Sequence, residues 1–262
     1  MIYLLYLLLG AFAGVLSGLF GIGGGLVIVP VLLTTFKLLN FDPQLTIHMA
    51  LGTSLATIIV TSMNSMWAHH RKGGVDWKVV LTMAPGIVVA AYLGGFVAHL
   101  LDATVLAYCF TGFITLVAIK MWFGLKPKGQ QPFPGVVGLS ISGIGIGFLS
   151  AIFGIGGGTI SVPLLSRFGL EMRKAVGISS ALGLPIALTG ALSYAISGWN
   201  APGLPEMSLG YVYLPAFIGI VLTSSVFSRV GANLAHKLDP RLMQKSFALL
   251  LVIIAIKTLL TS

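Results

Sequence analysis

The chain has 262 residues, of which 56% are hydrophobic and only 8% are charged. Soluble globular domains carry about 25% charged residues, so this composition excludes an ordinary soluble protein and predicts an all-α polytopic membrane protein embedded in a lipid bilayer. The basic residues that give the net charge of +9 lie in short connections between apolar segments. The positive-inside rule explains this distribution, so no nucleic-acid partner is predicted.

Five apolar segments are predicted in the first half of the chain. The first, over 3–20, is expected to be retained rather than cleaved as a signal peptide, because no basic residue precedes it. Gly21 to Gly25 then interrupt the helical pattern, since each glycine costs about 1 kcal/mol relative to alanine inside a helix. The remaining segments are predicted over 26–36, 45–67, 79–98 and 104–123.

The second half repeats this plan. A polar stretch that contains proline, 126–134, is interpreted as a cytoplasmic linker between a first transmembrane repeat, 1–125, and a second, 135–262. The segments of the second repeat are predicted over 135–152, 159–166, 174–197, 208–228 and 243–260.

Sequence matches support the duplication. The motif GVLSGLFGIGGG begins at Gly14, and GFLSAIFGIGGG begins at Gly147, with a proline at the same distance beyond each. The stretch ALGTS from Ala50 likewise resembles AVGIS from Ala175. The chain is therefore predicted to contain one structural unit twice.

Basic residues indicate how the two units are oriented. The connection 69–78 contains three Lys or Arg residues and its equivalent 198–207 contains none, whereas 99–103 contains none and its equivalent 229–242 contains three. Since Lys and Arg in short loops mark the cytoplasmic side, the halves are predicted to be inverted repeats. Each has a glycine-broken helix pair and about three further transmembrane helices; whether the broken pair re-enters or crosses fully stays open.

The polar groups at membrane depth favour an anion as the transported solute. All acidic residues lie in connections or at segment ends, whereas cation pathways usually contain intramembrane carboxylates, although backbone carbonyls also hold Na⁺ in some transporters. Glycine backbone, hydroxyl groups and one asparagine remain at depth. A helix that begins after a glycine run presents free amides and about half a positive charge, which bind anions without a basic side chain.

These features predict a substrate-binding site for a small anion where the two glycine breaks meet. The candidate residues are glycines of the two runs and polar residues of the neighbouring segments: Ser17, Gly23, Gly24, Gly25, Thr53, Ser54, Asn64, Ser150, Gly156, Gly157, Gly158, Ser179 and Ser180. Simpler interpretations stay open: the glycines serve close helix packing, and the hydroxyls bond carbonyls four residues back.

No enzyme, cofactor or metal site is predicted. The glycine runs lack the Gly-Lys-Ser/Thr of a P-loop, and the first copy does not meet the GxGxxG spacing. His69 and His70 are interpreted as a solvated loop pair, His99 and His236 as interfacial anchors, while His48 stays unassigned.

The doubled Gly-x-x-Ser-Gly/Ala-x-Phe-Gly-Ile-Gly-Gly-Gly…Val-Pro pattern resembles the TauE/SafE family of sulfite-exporter-like permeases over the whole chain. The resemblance implies a multi-pass transporter of the prokaryotic inner (plasma) membrane that moves sulfite, sulfonates or related small organic anions. One departure is Ile178, which stands where the first half has Thr53, so a ring of hydroxyls would be asymmetric.

The predicted function is secondary transport of such anions by alternating access around the paired glycine-broken helices. The alternatives are a passive anion channel, a differently coupled permease and a non-transporting membrane scaffold; a scaffold would tolerate apolar replacements of the polar residues in 45–67 and 174–197. The anion, the direction, the coupling ion and the oligomeric state stay open, and the sequence shows no interface for a homo-oligomer. The one cysteine, Cys109, is interpreted as a packing residue.

Overall fold

The computed structural model describes residues 2–20, 24–123, 132–234, 248–249 and 251–253. Gly23, most of the 126–134 linker and most of the predicted segment 243–260 lie outside the described residues. Residues 248–249 and 251–253 are helical, and the longer described ranges form nine α-helices and one β-hairpin. In chain order these are α1 Ile2–Phe20, α2 Gly25–Leu38, α3 Pro43–Arg71, α4 Trp77–Leu100, α5 Ala103–Trp122, α6 Val136–Ile152, α7 Gly158–Arg167, α8 Met172–Ser197, β1 Ser208–Leu209, β2 Val212–Tyr213 and α9 Leu214–Leu234.

One predicted segment begins in the wrong place. The helix expected over 208–228 starts only at Leu214, because the preceding residues form an antiparallel hairpin that pairs Ser208 with Tyr213. Gly210 at the turn has φ 55°, a left-handed conformation that glycine adopts without steric cost. This hairpin is the part of the described chain that departs from an all-α fold.

Acidic residues begin three of the long helices. Asp42 precedes α3, and its carboxylate accepts a hydrogen bond from the Gln44 amide at 2.9 Å. Asp76 caps α4 in the same way through the Lys78 amide at 3.0 Å, and Asp102 precedes α5. A carboxylate at such a position satisfies otherwise unpaired amides and interacts favourably with the helix dipole. Capping therefore explains why these acids lie at segment ends.

Helices α3 and α8, which are equivalent in the repeat, pack together in the centre and run antiparallel. A Cβ built on Gly52, early in α3, would lie 3.0 Å from the Cβ of Tyr194, late in α8. Further along, the hydroxyl of Ser65 lies 3.0 Å from that of Ser180, which stands early in α8. Residue numbers therefore rise along one helix as they fall along the other.

Each glycine-broken pair packs its first helix against the other half of the chain. Helix α1 runs parallel to α9, with Gly10 against the Ile220 carbonyl and Gly231 against the Val15 carbonyl. Such close approach requires residues without a side chain at the contact. Gly10 on α1 therefore serves close packing of this helix on α9.

The equivalent contact in the second half joins α6 to α4. A Cβ on Gly143 would lie 2.7 Å from the Met83 carbonyl oxygen, and one on Gly94 would lie 2.5 Å from the Phe148 carbonyl oxygen. These two helices also run parallel. In each case the first helix of a glycine-broken pair thus lies parallel to a helix from the other half of the chain.

The bundle has two distinct ends. The hairpin end contains Asp42, Asp102 and the hairpin 208–213; the basic end contains the connections 72–76 and 168–171. Helix α1 begins at the hairpin end, where Tyr6 packs on Gly219, and α2 returns there because a short turn joins it to α3. By the same reasoning α6 begins and α7 finishes at the basic end, where the Gly74 carbonyl packs on Gly177 near the start of α8.

Cationic side chains divide unevenly between these ends. Of the Lys and Arg residues whose side chains the structure describes, all but Lys37 lie towards the basic end: Arg71, Lys72, Lys78, Lys120, Arg167, Arg173 and Lys174. Helices α3, α4, α5 and α8 are long and apolar enough to cross a membrane. Many large apolar side chains on the outer helices are exposed, among them Val89 and Leu116, as a lipid-facing surface requires.

Candidate functional site

The two glycine breaks have the same local conformation. Gly24 precedes α2 with φ 79° and Gly157 precedes α7 with φ 77°. In both copies the carbonyl of this glycine accepts the amides three and four residues later, at 2.8 to 3.1 Å. A side chain at such a φ costs about 1–2 kcal/mol, so glycine is the residue expected there. The repeated glycine motif therefore has the same backbone conformation at these two positions.

Both breaks present helix amides that no side chain caps. Neither α2 nor α7 has a side-chain hydrogen bond at its N-cap, so the first amides of each helix are available to a ligand. A left-handed glycine followed by right-handed helix aims successive N–H groups into one concavity, a geometry that binds anions. The partial positive charge of the helix N-terminus adds to this preference.

The two breaks contact each other across the molecule. A Cβ built on Gly25, the first residue of α2, would lie 2.6 Å from the Gly154 carbonyl oxygen and 3.0 Å from the Ile155 Cα. Only a glycine permits the two backbones to approach this closely. The glycine runs of the two halves, far apart in sequence, thus form one buried region.

Two buried serines each lie a few residues before a glycine break along the chain. Ser17 and Ser150 occupy equivalent positions in the repeat, both are fully buried, and neither hydroxyl has a hydrogen-bond partner among the described residues. The Ser150 hydroxyl lies 3.3 Å from the position of a Cβ on Gly157. A buried hydroxyl without a partner costs about 1–3 kcal/mol, and two at equivalent positions indicate a requirement other than stability.

Further hydroxyls from α3 and α7 contact the second break. Ser54 donates to the Gly154 carbonyl at 2.7 Å. The Ser161 hydroxyl lies 2.9 Å from the Gly157 carbonyl oxygen and 2.7 Å from the Ser179 hydroxyl. Contacts and neighbourhood in the chain thus bring most of the predicted residues together: Gly24, Gly25, Ser54, Ser150, Gly156, Gly157, Gly158 and Ser179. Ser17 lies on α1, before the first break, at the position equivalent to Ser150.

Three predicted residues lie elsewhere. The Thr53 hydroxyl accepts the Tyr213 amide at 2.9 Å and so holds the hairpin. Ser180 bonds the Val176 carbonyl of its own helix at 2.9 Å, besides its contact with α3. Asn64 is half-buried and lies about 15 Å along α3 from Ser54, towards the basic end.

Sequence reasoning missed some residues of this region. Ser62 and the Gly156 carbonyl both contact Gly183 of α8, so the second break lies between the two central helices. Thr159, in the first turn of α7, has a buried hydroxyl without a partner in the described part of the chain. Thr159 and Ser161 were detectable as the polar residues that directly follow the second glycine run.

Residues that bind metal ions do not cluster in the described segments. Within 2–20, 24–123 and 132–234, no group of three or more His, Cys, Asp or Glu side chains is placed to hold a metal ion. The site consists of backbone amides and neutral hydroxyls, which suit an anion and leave no carboxylate to repel it.

Comparison with known proteins identifies the family. The model of the sulfite exporter TauE/SafE family matches residues 6–258. The chain belongs to this family. A probable membrane transporter protein of Haemophilus influenzae is 40% identical over 262 residues, which cover 98% of each chain. A probable membrane transporter protein of Methanocaldococcus jannaschii is 28% identical over 245 residues, 90% of this chain and 88% of the relative.

The family assignment confirms the resemblance seen in the glycine motifs. This TauE/SafE-family chain is a member of a membrane transporter family and not an enzyme. With its long apolar helices it is a multi-pass membrane protein. No solved structure matches the chain.

Proposed function

We propose that this protein is a secondary transporter of small anions such as sulfite, sulfonates or related organic anions. The observation that carries the proposal is the pair of glycine breaks, each a helix N-terminus without a side-chain cap that follows a left-handed glycine. The buried hydroxyls of Ser17 and Ser150, just before the breaks, have no partner among the described residues. An oxyanion has several acceptor lone pairs, and backbone amides and hydroxyls are donors that suit it. Because the donors are neutral, the ion is bound without a full opposite charge that would oppose its release.

The transport mechanism is alternating access around this site. Support comes from the antiparallel packing of α3 on α8 and from the return of each broken pair to its own end of the bundle. Both features are expected of inverted repeats with re-entrant pairs, in which each half closes one side of a central site.

The basic end is the cytoplasmic side and the membrane is the prokaryotic inner membrane. The uneven distribution of lysine and arginine between the two ends supports this orientation under the positive-inside rule. The hairpin end, which contains the caps Asp42 and Asp102, then faces outwards.

The test is sulfite flux in proteoliposomes that contain the purified protein. Uptake of radiolabelled sulfite is measured under an imposed pH gradient, with sulfonates, carboxylates and chloride as competitors. Accumulation of sulfite inside the proteoliposomes that requires the pH gradient, and that other oxyanions reduce, supports a coupled transporter. Dissipation of the sulfite gradient without accumulation would indicate a passive channel, and no flux under any gradient would contradict the proposal.

Serine variants connect the flux to the site. Hydrogen bonds to charged groups contribute about 1.5–3 kcal/mol each, so Ser17→Ala with Ser150→Ala should weaken apparent sulfite affinity by about a hundredfold or more. The matched control is Ser142→Ala, which removes a hydroxyl of α6 that bonds its own helix at Gly138. Unchanged affinity in the double variant would refute the hydroxyl contribution.

A further inference from the structure

Two histidines and a tyrosine form a cluster at the hairpin end, separate from the anion site. Tyr211, at the turn between β1 and β2, lies against the imidazoles of His48 on α3 and His99 on α4. The ring centroids are 5.2 Å and 5.7 Å away, and the Tyr211 hydroxyl lies 3.0 Å from His99 Nδ1. Only 5% of His48 and 4% of Tyr211 are exposed, so the hairpin separates His48 from solvent.

Both ring nitrogens of His48 face carbonyl oxygens, which can accept hydrogen bonds from the two N–H groups of a protonated imidazole. Its Nδ1 lies 3.2 Å from the Gln44 carbonyl oxygen and its Nε2 lies 3.1 Å from the Ala98 carbonyl oxygen. A neutral imidazole has one N–H and satisfies one of these carbonyls, whereas an imidazolium satisfies both. Both carbonyls belong to helices α3 and α4, so they stay in place if the hairpin moves.

Other ionisable groups around the cluster are compatible with a cation there. Asp102 follows α4, and the hydrogen bond from the Thr104 amide at 2.8 Å lowers the pKa of Asp102, so it is a carboxylate that attracts a positive charge. Burial raises the pKa of Tyr211, which therefore stays a neutral phenol. The ring centroids of Tyr194 on α8 and Tyr211 are 6.4 Å apart, with the rings edge to face. Asp42 stands at the start of α3.

Tyr211 also connects this cluster to the glycine breaks. Its carbonyl packs on Gly52 of α3, and its amide donates to the Tyr194 carbonyl at 3.4 Å. The Tyr194 hydroxyl in turn lies 3.3 Å from the Ala151 carbonyl oxygen, at the end of α6 beside the second break. A shift of the hairpin therefore changes contacts that reach the candidate anion site.

We propose that His48, Tyr211 and His99 form a proton-binding site, and that proton uptake there opens the hairpin. The proton comes from solvent at the hairpin end and converts the His48 imidazole, whose two ring nitrogens both face carbonyl oxygens, into an imidazolium. The free energy of attraction between this cation and the Tyr211 ring is smaller than the hydration free energy that an ion loses on burial. The imidazolium is therefore more stable when the hairpin lifts and water reaches it. Both imidazoles lie against one ring, and like-charge repulsion disfavours a second proton.

This inference rests on the proposed function in one respect: it names the proton as the coupling ion of the transporter. A proton taken up from outside would open the outer gate, and proton release inside would let the hairpin close again. The hairpin is thus the outer gate, and the cluster is the coupling site.

The test is amide hydrogen exchange of the 208–213 hairpin in the full-length protein in detergent, without any anion. Exchange is compared at about pH 5.5 and about pH 8, on either side of the usual histidine pKa, and corrected for the intrinsic exchange rate. The corrected exchange should be about tenfold faster at the acidic pH. His48→Gln should abolish this difference, while His70→Gln, a histidine of the basic end that bonds Trp77, should retain it.

The outcomes separate this inference from the proposed function. Exchange that does not depend on pH in the wild type, or that keeps its pH dependence in His48→Gln, would overturn the proton site. If His48→Gln does not fold, His48→Asn, which likewise has no imidazole to protonate, provides the same comparison. Because no anion is present, absence of sulfite flux refutes the transport proposal without affecting this result, and a flux that ignores the pH gradient contradicts only the coupling.

Discussion

Replacing Gly25 with alanine should force the two glycine breaks apart. The added Cβ would lie 2.6 Å from the Gly154 carbonyl oxygen, 2.9 Å from the Ile58 Cδ1 and 3.0 Å from the Ile155 Cα. Two of these neighbours are backbone atoms, which cannot rotate away as a side chain does. Overpacking of this kind costs about 1–3 kcal/mol. Since Gly25 does not have a positive φ, the whole cost arises from the contact between the breaks.

The variant is assayed by thermal unfolding in detergent and by sulfite flux in proteoliposomes. We expect Gly25→Ala to lose about 1–3 kcal/mol of stability and most of its flux, because a shift of the breaks misplaces their amides. The matched control is Gly112→Ala on α5, where an added Cβ meets nothing within 4 Å. That control should gain up to about 1 kcal/mol from helix propensity and transport normally.

Two outcomes would count against a contact between the two glycine breaks. Wild-type stability together with wild-type flux in Gly25→Ala would mean that the breaks are not in contact. A loss of stability in Gly112→Ala as large as in Gly25→Ala would show that any alanine at a glycine position is harmful, and the comparison would then say nothing for a site between the breaks.

Two further predictions concern the breaks and the orientation of the chain. Gly24→Leu and Gly157→Leu each place a large side chain at φ near +78° and should each abolish sulfite flux; normal flux in both would contradict the amide site. Cysteines introduced at the exposed positions Lys72 and Glu206, in a Cys109→Ala background that transports normally, should react with an impermeant thiol reagent from opposite sides of the membrane. Labelling of both from one side would contradict the inverted repeats.

Much of the fold could be predicted because hydrophobic segments and capping acids are local features. The segment predicted over 45–67 is observed as Pro43–Arg71, and the one over 174–197 as Met172–Ser197. The start of α9 was missed because a hairpin with two-residue strands leaves almost no periodicity in the sequence. Its apolar residues Tyr211 and Val212 read as the first turn of the following helix.

The site was predictable where the duplication gave a second copy for comparison. Ser17 and Ser150 were named because both copies contain them, and neither hydroxyl has a partner in the part of the chain that the structure describes. Thr53 was included for its position beside Ser54, but the hairpin, which the sequence did not indicate, takes up its hydroxyl. The contact of Gly25 with Gly154 depends on how distant helices pack, and no local pattern encodes it.

The measurement that tests the central claim most directly is sulfite counterflow. Proteoliposomes loaded with unlabelled sulfite are diluted into a trace of radiolabelled sulfite, with the pH equal on both sides. A carrier that alternates around one site should transiently concentrate the label inside, and Ser17→Ala with Ser150→Ala should remove this overshoot while Ser142→Ala keeps it. Label that only equilibrates in the wild type, without an overshoot, would contradict alternating access around the paired glycine breaks.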